Sequence, residues 1–221
     1  MLKISDIELF SHNSKIINKK HFSQTLEDVK NLNEKYSKVI LGKIEICDLI
    51  YRLAHVVDPT DIELLNNTQL MHVFQVLEAM ENENASEEMK MMGLLHDIGK
   101  FLVCVDEKPE NIFCGNKVIG KTSFGIGLDN CMFQWNHDEF AYIKLKEYLN
   151  YEQLWLIRYH SIYVNETKPF MNKNDIELCD KYLLKFKKYD KHTKSPTHKP
   201  QIDLEKYLRI VEKFIPRYIE I

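Results

Sequence analysis

The stretch Leu94-Leu95-His96-Asp97-Ile98-Gly99-Lys100 decides how this chain is read. An apolar run ends on an adjacent histidine and aspartate, so a neutral nitrogen donor stands beside an anionic oxygen donor. A carboxylate in that place can bridge two cations and offset their mutual repulsion while the imidazole ligates one of them. Taken in isolation, the pair also fits a capped helix end with a surface aspartate. The apolar flank GLLHDIGK favours metal.

Working outward, His72 lies in Leu70-Met71-His72-Val73-Phe74-Gln75, on the preceding predicted helix. A second His-Asp pair, His137-Asp138, follows Gln134-Trp135-Asn136. His160 ends the apolar segment Ile157-Arg158-Tyr159, and Asp190 sits among lysines in Lys187-Lys188-Tyr189-Asp190-Lys191. Alone, His72 reads as a hydrogen-bonded core residue and Asp190 as a surface carboxylate balancing its neighbours. Together these residues offer more imidazoles than one closed mononuclear site needs. A nitrogen and oxygen donor set without cysteine suits iron, manganese or zinc better than an iron-sulfur cluster. Spacing does not choose among these ions, nor between hydrolysis by a bridging hydroxide and oxygen activation at iron. The remaining histidines, His12, His21, His55, His192 and His198, lack the apolar flanks and read as surface or supporting residues.

The surroundings are helical. Apolar residues recur every three or four positions over 21–36, 44–56, 68–83 and 86–98, then over 130–148, 152–161, 173–189 and 204–218. Pro59 breaks the second segment. Between 103 and 130, Gly115, Gly120, Gly125 and Gly127 punctuate short apolar pieces, which predicts loops with one small hairpin. The expected fold class is therefore all-α, a helical bundle of roughly seven to nine helices. The whole of 1–221 is expected to form a single domain, with 103–129 an irregular region covering the pocket.

Bulk properties narrow the function. The 221 residues are 44% hydrophobic and 29% charged, with a formal charge of -3, an ordinary globular balance that argues against a nucleic-acid partner. The exception is the basic run 181–199, which contains KFKKYDKHTKSPTHK and reads as a solvated surface or an anion-binding rim. No apolar stretch approaches the roughly 20 residues of a membrane span. The opening MLKISDIELF lacks the features of a secretory leader. Five cysteines without a C-x-x-C pair indicate free thiols in a reducing compartment, and the expectation is a cytoplasmic monomer.

The ordered set His72, His96-Asp97, His137, His160 and Asp190 resembles the diiron branch of the HD-domain superfamily, and so implies an HD-domain-like bundle. More closely, HVFQ, GLLHDIGK, GLDNCMFQWNHDEFAY, LIRYHSIY and KFKKYDKHTK resemble the myo-inositol oxygenase family, over most of the chain. The resemblance implies two iron ions, mixed-valent Fe(II)/Fe(III), with dioxygen as co-substrate. It implies that His72, His96 and Asp190 bind the first iron, Asp97 bridges, and His137 and His160 bind the second. Asp97 and Lys100 would be catalytic. Asp58, Asp61, Lys100, Gly115, Asn116, Ser161 and Lys194 would face the substrate, with His137 beside it. The implied reaction is oxygen-dependent ring cleavage of a small polyol, myo-inositol to D-glucuronate.

The chain departs from that pattern in places. Gly115-Asn116 stands where the family has Gly-Asp. The 120–127 region is shorter, one extra residue separates the Asp58–Asp61 loop from His72, and the family's substrate-region arginine has no match. Three other readings stand beside it: an HD-type metal-dependent phosphohydrolase, from the generic His-Asp motif; a related oxygenase cleaving a hydroxylated phosphonate, which the resemblance also admits; and a metal-bound sensor or partner-binding module without turnover, from the shortened loop and Asn116.

Overall fold

The computed structural model describes residues 4–65 and 67–221, with side chains from residue 10 onward. The first three residues of the opening MLKISDIELF, which is expected to be no secretory leader, lie outside the described residues. The protein is almost wholly helical. Among the described residues, the eleven α-helices, numbered in chain order, are α1 (Ile4–His21), α2 (Leu26–Ser37), α3 (Ile46–Arg52), α4 (Gln69–Asn82), α5 (Glu87–Leu95), α6 (His137–Leu145), α7 (Tyr151–Tyr159), α8 (Val164–Thr167), α9 (Lys173–Leu178), α10 (Leu184–His192) and α11 (Leu204–Val211). Four short strands, β1 (Lys43–Glu45), β2 (Val118–Ile119), β3 (Met132–Phe133) and β4 (Tyr218–Glu220), form two antiparallel ribbons, β1 with β4 and β2 with β3.

Local chemistry sets the helix starts. Thr68 caps α4 through Met71 N and Ser86 caps α5 through Met89 N. Asn136 caps α6 through Asp138 N, and Asn150 forms a reciprocal capping box with Gln153 at the start of α7. Each oxygen satisfies a backbone donor that the first helical turn leaves unpaired. The α4 face carrying Gln69, His72, Val73, Val76, Leu77 and Met80 is buried at helical spacing, so His72 points inward with the core. On α5, Met89 and Met91 through Leu95 are buried. Gly93 allows the two helices to approach, since a Cβ there would lie 2.7 Å from Met80 Sδ.

Several boundaries differ from the sequence expectation, each for a tertiary reason. The predicted helix over 44–56 begins as strand β1, because Ile44 pairs with Ile219 across the chain. The helix predicted over 130–148 starts at His137, because Met132 and Phe133 pair with Ile119 and Val118 and Asn136 then caps. The helix predicted over 204–218 stops at Val211. Pro216 follows and β4 takes Tyr218–Glu220. Helix α1 was not anticipated. The segment predicted over 173–189 runs on to His192, through a π-helical stretch at Cys179–Leu183. Among the described residues no helix is long and apolar enough to cross a membrane. The five cysteines are free.

Candidate metal centre and active site

Helix ends, not helix middles, deliver most of the site. His72 is in the first turn of α4, His96 is the C-cap of α5, His137 opens α6 and His160 is the C-cap of α7. Asp97 begins the 3-10 stretch Ile98–Val105 as its N-cap, and Asp190 lies in the last turns of α10. At Gly99 a Cβ would overlap the His137 carbonyl, so this glycine lets the Asp97 turn lie against the start of α6. All six residues are at most 9% exposed, including Asp190, whose lysine-rich sequence context suggested a surface position.

The six converge on Asp97. Its Oδ2 lies 3.3 Å from His96 Nε2 and 3.7 Å from His72 Nε2. Its Oδ1 lies 3.1 Å from His137 Nε2 and 3.6 Å from His160 Nε2. Asp190 Oδ1 joins the first group, 3.0 Å from His72 Nε2 and 3.9 Å from His96 Nε2. Two ligands about 2.1 Å from one ion stand roughly 3 Å apart. The triads His72-His96-Asp97 and Asp97-His137-His160 thus have the spacing of two cation sites sharing one carboxylate, their donor atoms all within 4.8 Å in each set.

Three of the four rings are oriented for ligation by a backbone carbonyl. His96 Nδ1 donates to the Gly93 carbonyl at 2.9 Å, His160 Nδ1 to Ile157 at 2.8 Å and His137 Nδ1 to Ile112 at 2.5 Å. An N–H facing a carbonyl leaves the Nε2 lone pair directed at Asp97. His96 Nε2 and Asp97 Oδ2 are buried without a hydrogen bond of good geometry. Buried polar atoms left so are costly, and a cation is the partner that satisfies an imidazole lone pair and a carboxylate together. The donor set therefore fits two metal ions.

Electrostatics agree. Burial opposes the Asp97 charge, yet His96 and Lys100 beside it hold its pKa well below the carboxylate range. Burial likewise opposes Asp190, and Lys194 and His72 hold it low. Lys100 is buried, and although burial disfavours its charge, Asp97 and Asp58 raise its pKa. Its Nζ lies 3.0 Å from Asp97 Oδ2 and donates to Asp58 Oδ2 at 3.0 Å and Gln69 Oε1 at 3.1 Å.

Beside the metal donors opens a cavity of about 410 Å³. Asp58, Asp61, Lys100, Gly115, Ser161 and Lys194 line it, with His137, His160, Asp97 and Asp190 at its floor. Asp58 Oδ1 accepts from the Thr60 amide and hydroxyl at 2.8 and 2.7 Å. Lys194 Nζ donates to Asp61 Oδ2 at 2.6 Å. Asn116 lies elsewhere. It is buried behind the wall, and its amide donates to Asn136 Oδ1 at 2.8 Å.

Some functional-looking residues escaped the sequence reading. Asp138 is fully buried, accepts from Ser161 Oγ at 2.5 Å and lies 2.9 Å from His137 Nε2. Asn136 links α6 to Cys114 O and Ser161 Oγ at 2.7 and 3.2 Å. The second His-Asp pair was the available signal for Asp138. His21, expected at the surface or in support, is completely buried between the Glu110 and Gly115 carbonyls at 2.8 and 3.2 Å. Lys187 and Lys191 also line the cavity.

A helical bundle holding two His/Asp triads on one bridging carboxylate, beside a polar cavity, defines a dinuclear non-haem metalloenzyme. Comparison with known proteins makes the class specific. A family model described as myo-inositol oxygenase matches residues 11–120 and 110–221. The probable inositol oxygenase of Oryza sativa subsp. japonica is 30% identical over 240 residues, covering 89% of this chain and 76% of its own length. Inositol oxygenase 4 of Arabidopsis thaliana is 30% identical over 243 residues, covering 89% and 74%. Inositol oxygenase of Danio rerio is 27% identical over 244 residues, covering 90% and 85%. The chain belongs to the myo-inositol oxygenase family.

Proposed function

We propose that this chain is a two-iron oxygenase whose substrate is myo-inositol, opened with one dioxygen to D-glucuronate and water. The carrying observation is the sharing of Asp97 between two histidine sets at the floor of a polar cavity. His72, His96 and Asp190 would hold one iron, His137 and His160 the other, with Asp97 between them. When bound, the iron pair supplies Lewis acidity and the one-electron chemistry that oxygen activation needs.

The protein's own groups then position a polyol. Lys100, charged and buried, offers a donor to a substrate hydroxyl and favours its deprotonated form. The free lone pairs of Asp58 and Asp61 accept from ring hydroxyls, and Lys194 and Ser161 add polar contacts. The buried pair Lys100–Asp58 and the half-buried pair Lys194–Asp61 hold these groups in place before substrate arrives. Phe113 and Ile162 supply apolar wall against the ring's carbon face. The segment 103–129 of a single 1–221 domain would cover the pocket from the side on which Phe113 and Gly115 stand. Asn116 supports that wall through Asn136.

The test is a product assay on iron-loaded protein, started by adding oxygen to an anaerobic mixture. Glucuronate formed with an equal amount of oxygen consumed supports the assignment. Oxygen uptake with phosphate release from a hydroxylated phosphonate, and no turnover of myo-inositol, moves the chain to the phosphonate reading. Oxygen-independent phosphate ester hydrolysis moves it to the phosphohydrolases.

A further inference from the structure

Lys187 and Lys191 on α10, with Lys194 two residues past its end, line the cavity at i, i+4 and i+7. Residues at this spacing share one side of a helix. Their surroundings differ. Lys194 is held by Asp61 at 2.6 Å and lies 3.8 Å from Asp190. Lys187 spends one of its three donors on the His160 carbonyl at 2.7 Å. Among the described residues, no carboxylate oxygen lies within 4.0 Å of the Lys187 or Lys191 ammonium. Two cations one turn apart on a cavity wall repel each other until an anion joins them.

The cavity's carboxylates are otherwise engaged. Asp58 and Asp97 face Lys100, and Asp61 faces Lys194. Among the described residues, only Glu63, exposed on the loop that bears Asp58 and Asp61, lines the cavity without such a partner there. An oxyanion entering the cavity is therefore drawn toward α10 and away from that loop. A neutral polyol gains only hydrogen bonds from this arrangement, whereas an oxyanion gains charge pairing as well.

We propose that Lys187 and Lys191 form an anion subsite at the cavity wall, taking the oxyanion of an acidic polyol derivative, a phosphate ester or a carboxylate. The inference rests on the polyol reading of the neighbouring centre and deepens it. The chain would bind an acidic polyol, as alternative substrate or as retained product, in preference to the uncharged parent. A ring phosphate ester would keep its hydroxyl contacts to Asp58, Asp61 and Lys100 while its phosphate meets the two lysines, and in glucuronate the new carboxylate would take that place.

Isothermal titration of the iron-loaded full chain with myo-inositol, myo-inositol 1-phosphate and D-glucuronate tests this. At low salt at least one acidic ligand should bind about tenfold or more tighter than the parent, and the gap should narrow as salt screens the lysines. Whichever acid gains identifies the oxyanion. In Lys187→Met/Lys191→Met the affinity ratio of acid to parent should fall to within twofold. Lys191 is exposed, so Lys191→Glu serves where the double variant misfolds, and it should narrow the gap alone. Equal binding of acid and parent overturns the subsite while leaving the polyol reading intact. A gap that survives both variants also overturns it, because the anion is then held by iron. Failure of all three ligands to bind sinks the polyol reading and the subsite with it.

Discussion

Asp97 carries more of the account than any other residue, because each of its oxygens faces a different pair of histidines. Asp97→Ala should lower iron from two per chain to one or fewer and reduce turnover by about 100-fold or more, as loss of a ligand or its support does at other metal sites. Elemental analysis with the product assay reads both, and full iron content in the variant would count against the shared role. Lys100 is the second test. Lys100→Met leaves Asp58 buried, 3% exposed, without its cation, and unpaired buried charges cost about 3–5 kcal/mol. Urea unfolding should show a loss of that order; a loss below about 1 kcal/mol would mean the pair is not held as described. Away from the metals, Glu107 ties α2 to the loop before Ile112. It accepts from Lys35 at 2.5 Å, from Tyr36 and from Asn111 at 2.8 Å. Burial opposes its charge, but the Lys35 and Tyr36 hydrogen bonds bring its pKa down to about 2. A folded pKa below the unfolded value of about 4.3 stabilises above the latter and is lost as pH falls toward the former. Stability should therefore drop by on the order of 2 kcal/mol between about pH 5 and 2 on this account. In Glu107→Gln that acid limb should be shallower and the protein less stable at neutral pH, which pH-dependent urea melts measure.

At the scale of elements, the sequence told most about helices whose burial follows one face. The α4 and α7 segments begin within a residue of their expected starts, because the periodicity that marks them is unbroken and Thr68 and Asn150 cap the helices there. Strands β1 and β4 were illegible. Their pairing joins Lys43 to Glu220, and nothing local to either three-residue piece encodes a partner so far along the chain. The metal donors were visible where a histidine or aspartate ends an apolar run, as at His96-Asp97 and His160. Asp190 needed the family resemblance, since its neighbours are lysines and only the fold buries it. Lys187 and Lys191 were legible only as part of a basic run that reads as a solvated surface or an anion-binding rim, because it is the fold that turns one face of α10 into the cavity. A prediction belongs to the Asp97 turn. Gly99→Ala places a methyl against the His137 carbonyl, so it should displace α6 and lower iron occupancy more than stability. Iron content and a urea melt of the same sample separate the two; unchanged iron would show that the turn tolerates the methyl.

For the whole molecule, the centre joins α4, α5, α6, α7 and α10, which are far apart in sequence, so iron binding is coupled to folding. A ligand that binds only the folded chain at about 100 times its Kd adds about 2.7 kcal/mol. Adding anaerobic iron should raise the melting temperature, a chelator should reverse the gain, and Asp97→Ala should show little of it. The same geometry yields the most direct test of the central claim, that two irons share Asp97. Iron is titrated anaerobically into the metal-free protein, a limited amount of oxygen is admitted, and metal content and the electron paramagnetic resonance spectrum are read together. The account predicts two irons per chain and the signal of a spin-coupled Fe(II)/Fe(III) pair, with the coupling absent in Asp97→Ala. One iron per chain, or two whose spins are uncoupled in the unaltered protein, would contradict it.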